Sequence, residues 1–363
     1  MAHSKPLTHP ATRYASKRVQ LPKPILKSGS TAKPGGELAL LQTIRARAAA
    51  IPSSRSRVRL GIGDDCALLR LKPREELAIT TDLSIEGRHF RLDWHPPESV
   101  GHRTLARGLS DLAAMGARPV AAFLSLGLPR ELTVSKDGQR SWVDRFLDGL
   151  LALAAEHHVP LSGGDLAESP LAIADIVLTG AVPHGKALLR CGAKPGDRIY
   201  VTGSLGGAAA ELATLGQSPQ SFAQSTATSK TAPHLYPQPR IAQGLWLRKH
   251  RLASAAMDLS DGLSTDLTHL CEESGVAAEI DSTALPLGLE ATQAMALEGG
   301  EDYELLFTAP ASAKIPRKIA GVAITAIGRI RPAKKKQPRV TLLTEAGPQP
   351  LEPHGWEHFS AGK

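Results

Sequence analysis

The sequence predicts an α/β protein of two sheet-containing domains behind a disordered basic arm. Three observations carry this. The chain has 363 residues, 42% of them hydrophobic, which is enough for two buried cores. Apolar residues recur three or four apart in some stretches and run unbroken in others, so helix and strand patterns alternate. Short acidic clusters beside Gly, Ser or Thr punctuate the ends of the strand-like runs. Aromatic residues make up only 4%, so the cores are expected to be built from Ala, Leu, Val and Ile.

Folded sequence is expected to begin near Glu37. Leu38, Leu40, Leu41, Ile44 and Ala48 share helical spacing over 37–50. Residues 58–62 and 66–71 read as strands on either side of Gly63-Asp64-Asp65. Leu77 to Asp82 reads as a strand ending in polar groups. In 99–116, Leu105, Leu109, Leu112 and Met115 line one helical face beside Ser110 and Asp111; Gly116 and then Pro119 stop the helix. A strand at 120–128, a helix at 139–157 and a strand from Leu171 to Val182 complete a first domain, 37–184. A link at 183–186 leads into the second domain, 185–363. There the pattern gives a strand at 198–202, an alanine-rich helix at 204–215 and a helix at 262–274. Strands follow at 276–280, 305–308, 322–330 and 339–344. Residues 216–234, rich in Gln, Ser, Thr and Pro, read as a surface insertion, and Lys334-Lys335-Lys336 as an exposed turn.

Charge and cysteine content narrow the class. The formal net charge is +8, but residues 1–36 hold seven basic side chains and no Asp or Glu, which leaves the body close to neutral. That body lacks the basic stripe interleaved with aromatics that a nucleic-acid surface needs, so polynucleotide binding is confined to the arm. The arm reads as a solubilising extension, with an organelle-targeting peptide as the other reading. No apolar run reaches the roughly 18 residues of a membrane span. Cys66, Cys191 and Cys271 fit neither a disulfide framework nor a zinc site, which points to a reducing cytoplasm.

The chemistry is expected at the acidic clusters: Asp64-Asp65, Thr80-Thr81-Asp82, Ser110-Asp111, Gly163-Gly164-Asp165, Asp258-Leu259-Ser260-Asp261 and Gly300-Glu301-Asp302. Carboxylates among apolar neighbours repel one another and lose solvation, so they need cations or donors. Two readings follow. Either each cluster caps a helix or shapes a turn, or they converge on hard divalent ions and a polyphosphate. Magnesium takes oxygen ligands and substrate phosphates, and the lack of paired His or Cys argues against zinc. The run Gly180 to Lys186 has P-loop spacing, but Ala187 replaces the metal-binding hydroxyl and Pro183 deletes a cradle N–H. From their chemistry alone, Arg190 is a phosphate clamp or a surface residue, His89 a ligand or a core histidine, and Trp356 a stacking platform or a staple for the tail.

Taken in order, these motifs resemble the thiamine-monophosphate kinases, of the superfamily that includes aminoimidazole ribonucleotide synthetase and selenophosphate synthetase. The resemblance rests on Gly61-Ile-Gly-Asp-Asp-Cys-Ala-Leu-Leu69, Thr80 to Phe90, Leu109-Ser-Asp-Leu-Ala-Ala-Met-Gly-Ala117 and Ser162-Gly-Gly-Asp165. It continues through Arg190 to Asp197, Met257-Asp-Leu-Ser-Asp-Gly-Leu263, Gly299-Gly-Glu-Asp-Tyr-Glu-Leu305 and Gly355-Trp-Glu-His-Phe359. It implies phosphorylation of thiamine monophosphate by ATP with several Mg²⁺ ions. It also implies two α/β domains with the site in the cleft between them, and a homodimer formed through the N-terminal sheets. By motif, the metal shell is Asp65, Thr80, Thr81, Asp82, Asp111, Asp165, Asp258 and Asp261. The nucleotide contacts are Gly164, Asp165, Arg190 and Ser260, and the thiamine-phosphate contacts are His89, Glu301 and Trp356. Leu166-Ala167-Glu168 departs from the family, which more often has Thr-Thr and a basic residue there. A selenophosphate synthetase would carry a reactive Cys near a Lys in its N-terminal loop, and the arm has no cysteine.

Overall fold

A computed structural model describes residues 37–50, 57–136, 138–218 and 232–355. The basic arm, most of the expected insertion and Trp356 lie outside the described residues.

The first unit opens with α1 (Glu37–Ala49) and the short strands β1 (Val58–Leu60) and β2 (Leu68–Leu69), which bracket the Gly-Asp-Asp turn. The elements β3 (Glu75–Ile85), α2 (Pro97–Ala114), β4 (Arg118–Leu128), α3 (Trp142–Glu156), β5 (Leu161–Glu168) and β6 (Ile173–Pro183) follow. Their four strands form one sheet in the order β3-β6-β4-β5, with only β4 and β5 parallel. β5 was not anticipated from the sequence. Its Ser-Gly-Gly-Asp run has poor strand propensity, and pairing with β4 overrides that.

Side chains alternate between the two faces of this sheet. Ile176, Leu178, Leu124 and Leu126 face inward and are buried under α2 and α3, whose Leu105, Leu109, Phe146 and Leu150 complete the core. On β3 the inward residues are Thr80, Asp82 and Ser84, while Leu77, Ile79, Thr81 and Leu83 are exposed on the other face.

The second unit contains β7 (Arg198–Thr202), α4 (Gly207–Gln217), α5 (Ile241–His250), β8 (Ala255–Asp258), α6 (Leu263–Glu273), β9 (Val276–Asp281) and α7 (Gln293–Glu298). It ends with β10 (Leu305–Ala309), β11 (Lys318–Ile319), β12 (Val322–Pro332), β13 (Val340–Thr344) and β14 (Gly347–Pro350). The sheet runs β14-β13-β9-β12-β7-β10-β8, with β11 paired to β12. The sequence pattern missed α5, α7, β8, β11 and β14. It also read 216–234 as surface, whereas α4 extends to Gln217 and His234, Leu235 and Tyr236 are buried. Leu235 and Tyr236 pack with Leu215 of α4 beside Trp94, a cluster that their polar neighbours in sequence conceal.

The apolar core crosses the junction near residue 184: Ile241, Leu247, Leu305 and Phe307 belong to the same cluster as Leu105 and Phe146. α5 lies directly on α2. A Cβ at Gly244 would sit 1.9 Å from the Ala113 carbonyl oxygen, so only glycine allows this approach. The close contact brings the start of the 258–262 loop against the acidic face of α2. No described helix is long and apolar enough to cross a membrane.

Candidate functional site

Helix α2 supplies one wall. Arg103, Arg107, Ser110 and Asp111 stand at i, i+4, i+7 and i+8, so they share a face. That face meets the inward side of β3 and the end of β8. Thr80 donates to Asp111 Oδ2, and Ser110 Oγ donates to Asp258 Oδ2 at 2.7 Å. Arg107 places Nη2 3.4 Å from Asp82 Oδ1 and donates to the Leu83 carbonyl and Ser84 Oγ. Among the described residues, Asp82 Oδ2 is buried without a hydrogen-bond partner.

The opposite wall is two loops locked together. Asp266 Oδ2 accepts the N–H groups of Ser260, Asp261 and Gly262 at 3.0, 3.1 and 3.2 Å, which fixes the turn after β8. The 299–303 loop crosses it, with Glu301 N donating to the Ser260 carbonyl and Tyr303 N to that of Leu259, both at 2.8 Å. A Cβ at Gly300 would fall 2.6 Å from the Ser260 oxygen, so this crossing requires glycine. Glu301 and Tyr303 both have positive φ, 67° and 49°. Such conformations persist in non-glycine residues only where the surroundings over-determine them.

These walls enclose a cavity of about 760 Å³ between the two units. Asp82, Asp111, Asp258, Ser260 and Asp261 line one end. His89 and Glu301 also line it; Phe90, Trp94, Ala209, Leu212 and Ala213 add an apolar wall, and Arg88, Arg91 and Arg107 add positive charge. His89 is held in its turn by the Ile85 N–H, which donates to Nδ1 at 3.1 Å.

Electrostatics mark the acidic end as short of positive charge. Burial pushes Asp82 up to about 7; Arg107 opposes this and the nearby Asp111 and Asp175 add to it. Burial, then the Asp111 charge, pushes Asp258 up to about 7, with the Ser110 hydrogen bond and Arg190 opposing. Burial also raises Asp111, against the Thr80 hydrogen bond and the charges of Arg190 and Arg107. Arg190 is itself exposed, and its carbonyl accepts from Ser274 Oγ. Glu301 goes the other way. Burial acts to raise it, but Arg103 and His234 together hold it below the ordinary carboxylate range.

The remaining expected residues lie elsewhere. Leu83, Asp175, Ser125 and Asp165 form one cross-strand row. Asp165 therefore shares the outward face of the sheet with Leu83 and Thr81, opposite to Asp82. Asp65, Gly164 and Asp165 line a second cavity of about 800 Å³, under α1 and beside Arg45. The described structure thus brings Asp82, Asp111, Asp258, Asp261, Ser260, His89 and Glu301 together, with Thr80 bonded to Asp111. It sets Thr81, Asp65, Gly164 and Asp165 apart. Among the described residues, no three carboxylate, imidazole or thiol groups already converge at metal-binding distance. The P-loop-like turn is occupied internally, because Glu76 accepts from Gly185 N and pairs with His184.

Arg103, Arg107, His95, His234 and Asp266 were not anticipated. The two arginines were legible, since they fall on the helical face of Asp111. His234 lies in the segment read as an insertion, and its ring partners His95 and Arg103 are more than 130 residues away in sequence.

Comparison with known proteins places this arrangement. Residues 63–182 match the family described as AIR synthase related protein, N-terminal domain, and residues 194–341 match its C-terminal domain. The thiamine-monophosphate kinase of Escherichia coli K12 is 41% identical over 322 residues, covering 85% of this chain and 95% of the relative. The crystal structure of thiamine-monophosphate kinase from Stenotrophomonas maltophilia K279a superposes with a TM-score of 0.70 at 38% identity, covering 85% of this chain and 96% of that one. A structure described as AaThiL complexed with AMPPCP and TMP superposes at 0.66 with 31% identity, covering 92% of this chain and all of that one. With both domain models matched in order and this identity over most of its length, the chain belongs to the AIR synthase related family, among the thiamine-monophosphate kinases.

Proposed function

We infer that this enzyme transfers the γ-phosphoryl group of ATP to the phosphate of thiamine monophosphate, giving thiamine diphosphate and ADP. One observation carries the reading: a single interdomain cavity joins a cluster of buried carboxylates to a chamber walled by Phe90, Trp94 and Leu212. The first suits the place where phosphates meet, and the second suits a flat organic ring. The AMPPCP and TMP of the related complex are the same pairing of a nucleotide with a phosphorylated small molecule.

The residues fit Mg²⁺. Asp82 Oδ2 is a buried oxygen without a partner, and Asp82 and Asp258 are destabilised as anions by burial and by their neighbours. Asp82, Asp111, Asp258 and Asp261 would hold the ions, with Thr80 supporting Asp111; Asp65, Thr81 and Asp165 are assigned to the same shell by family motif. When bound, Mg²⁺ neutralises charge on the phosphates that must meet.

The chain's own part is positioning. An oxygen of the substrate phosphate attacks the γ-phosphorus as the bond to the β-bridging oxygen breaks. That nucleophile is already an anion near neutral pH, so no side chain has to remove a proton. Arg107, set between Asp82 and Ser84, adds fixed positive charge at the acidic end. Ser260, Arg190, Gly164 and Asp165 are assigned to the nucleotide. His89 and Glu301 are assigned to the thiamine phosphate, and Trp356 joins them by motif.

The functional unit is taken to be a homodimer. Leu77, Ile79 and Leu83 are exposed along the outward face of β3, with the half-buried Phe123 and Val177 across the same face. An apolar strip on a sheet face marks an interaction surface. A dimer packed through it would enclose Thr81 and Asp165 at the interface, on the sheet face opposite Asp82. Cys66, Cys191 and Cys271 are all free thiols, which supports a cytoplasmic setting.

The test is purified protein with ATP, Mg²⁺ and thiamine monophosphate. Thiamine diphosphate and ADP are expected in equal amounts. ADP release without thiamine diphosphate would overturn the reading.

A further inference from the structure

Behind Glu301 lies a buried group of side chains that the reaction as described leaves without a task. His95, Arg103 and His234 are respectively 3%, 4% and 2% exposed. They come from three separate places: the turn after β3, helix α2, and the segment before α5. Arg103 Nη2 donates to Glu301 Oε1 at 2.6 Å and to the His89 carbonyl at 3.2 Å. Its Nη1 donates to His234 Nε2 at 2.6 Å and to the His234 carbonyl at 2.7 Å. His95 Nε2 lies 3.0 Å from the same His234 Nε2. On its far side, His95 Nδ1 receives the Arg91 N–H at 3.1 Å.

These contacts fix the protons. A guanidinium has only donors, so His234 Nε2 is an acceptor and the hydrogen of that ring sits on Nδ1. His95 Nδ1 lies 3.1 Å from the Arg91 nitrogen and 3.2 Å from the Arg91 carbonyl oxygen, so the His234 contact decides its tautomer: facing an acceptor nitrogen at 3.0 Å, His95 Nε2 carries the hydrogen. Both rings are then neutral, as burial beside Arg103 requires. His234 Nδ1–H faces Glu301 Oε2 at 3.2 Å, off hydrogen-bond geometry, and has no other partner among the described residues. Each oxygen of Glu301 is thus met from behind by one donor group, and each keeps a lone pair for the cavity.

We propose that Arg103 and His234, backed by His95, are positioning residues that hold the Glu301 carboxylate at a fixed angle toward the organic part of the substrate. This rests on the assignment of Glu301 to thiamine monophosphate. The geometry explains why an arginine and two neutral histidines are buried together. An unpaired buried guanidinium would be costly, and the Glu301 carboxylate pairs it while its second oxygen sits 3.2 Å from His234 Nδ1. It also explains how Glu301 keeps its left-handed backbone, because its side chain is held as tightly as its N–H.

The test is a double-mutant cycle read as separate KM values. His234→Leu and Glu301→Gln should each raise KM for thiamine monophosphate about tenfold, with KM for ATP changed less than about twofold. The double variant should be no worse than Glu301→Gln alone, because the two residues act as one unit. His234→Asn, which keeps a donor near the Nδ1 position, should recover most of the loss. Additive effects, or a fall in kcat with KM unmoved, would overturn the proposal and leave His234 a packing residue. Nitrogen NMR of the imidazoles supplies a readout independent of turnover. His234 should be the neutral Nδ1–H tautomer at pH 7, and its signals should move in Glu301→Gln; a protonated ring, the other tautomer, or signals that stay put would refute it. Should the wild type fail to phosphorylate thiamine monophosphate, the functional reading falls, and the ring-nitrogen signals still decide whether His234 and Glu301 are coupled.

Discussion

Ser110 Oγ donates to Asp258 Oδ2 across 2.7 Å, and this one bond ties helix α2 of the first unit to strand β8 of the second. Both residues are buried, Ser110 completely and Asp258 to within 4%. Ser110→Ala leaves a buried carboxylate oxygen short of a donor. A loss of about 1–3 kcal/mol of unfolding free energy is expected by urea denaturation. Ser110→Thr, which keeps the hydroxyl, separates the lost bond from lost packing. A change under about 0.5 kcal/mol in Ser110→Ala would mean that this bond adds nothing to the hold between the two units, which their apolar contact and the Arg103 hydrogen bonds then supply.

Asp261 stands in a turn whose N–H groups, its own included, are gathered by Asp266. Asp261→Asn keeps the shape and removes the charge. Turnover is expected to fall by about two orders of magnitude or more, because neutralising two meeting polyanions is most of what the site does. Near-normal turnover at saturating Mg²⁺ would remove Asp261 from the metal shell. Asp266→Asn tests a different role. It should alter the turn itself, so the requirement for Mg²⁺ should rise together with a drop in thermal stability.

How far the sequence foretold this site depends on the kind of regularity each residue belongs to. Asp111 sits on a strongly periodic helix, and the same period that placed it also places Arg103 and Arg107. Strand alternation was equally legible for Thr80, Thr81 and Asp82, but alternation does not say which face is inward. The answer depends on where α2 packs, and it separates Thr81 from Asp82. Asp165 was named by motif, but its placement was not legible: Ser162-Gly163-Gly164-Asp165 reads as a loop, and only register with β4 shows it to be a strand facing outward. His234 was hidden for another reason. Its burial is set by Arg103 and His95, contacts between distant segments for which local pattern carries no signal.

The outward face of β3 supplies the next expectation. Ile79 is 62% exposed, between Leu77 and Leu83 on the same face. Ile79→Glu puts a charge in the middle of that strip. If two chains meet there, sedimentation velocity should show the dimer giving way to monomer at micromolar protein, with turnover falling in step. A dimer unmoved by Ile79→Glu would place the contact on another surface. Far-UV circular dichroism of the variant should match the wild type, since the side chain touches no core.

The buried histidines give the protein a pH dependence whose sign follows from their surroundings. Burial, then the charge of Arg103, moves His95 from 6.5 to about 3 and His234 from 6.5 to about 4. Between those values and 6.5 the unfolded chain carries a proton on each ring and the folded chain does not. Unfolding takes up protons in that window, so stability is full above pH 6.5 and is lost as pH falls toward 4. Each ring contributes a slope of about 1.4 kcal/mol per pH unit. Glu301, held low by the same cluster, adds a loss in the same direction at still lower pH. Asp82, Asp258 and Asp302, raised mainly by burial, act oppositely: their contribution is present at acid pH and lost as pH rises through about 7. A comparison of variants cancels these shared terms. His95→Gln offers a side-chain N–H to His234 but cannot titrate. From pH 6 down to 4.5, its unfolding free energy by urea should fall less steeply than that of the wild type by about 1.4 kcal/mol per pH unit. Parallel slopes would mean that His95 is protonated in the folded protein, and that the proton assignment running through His234 to Glu301 is wrong.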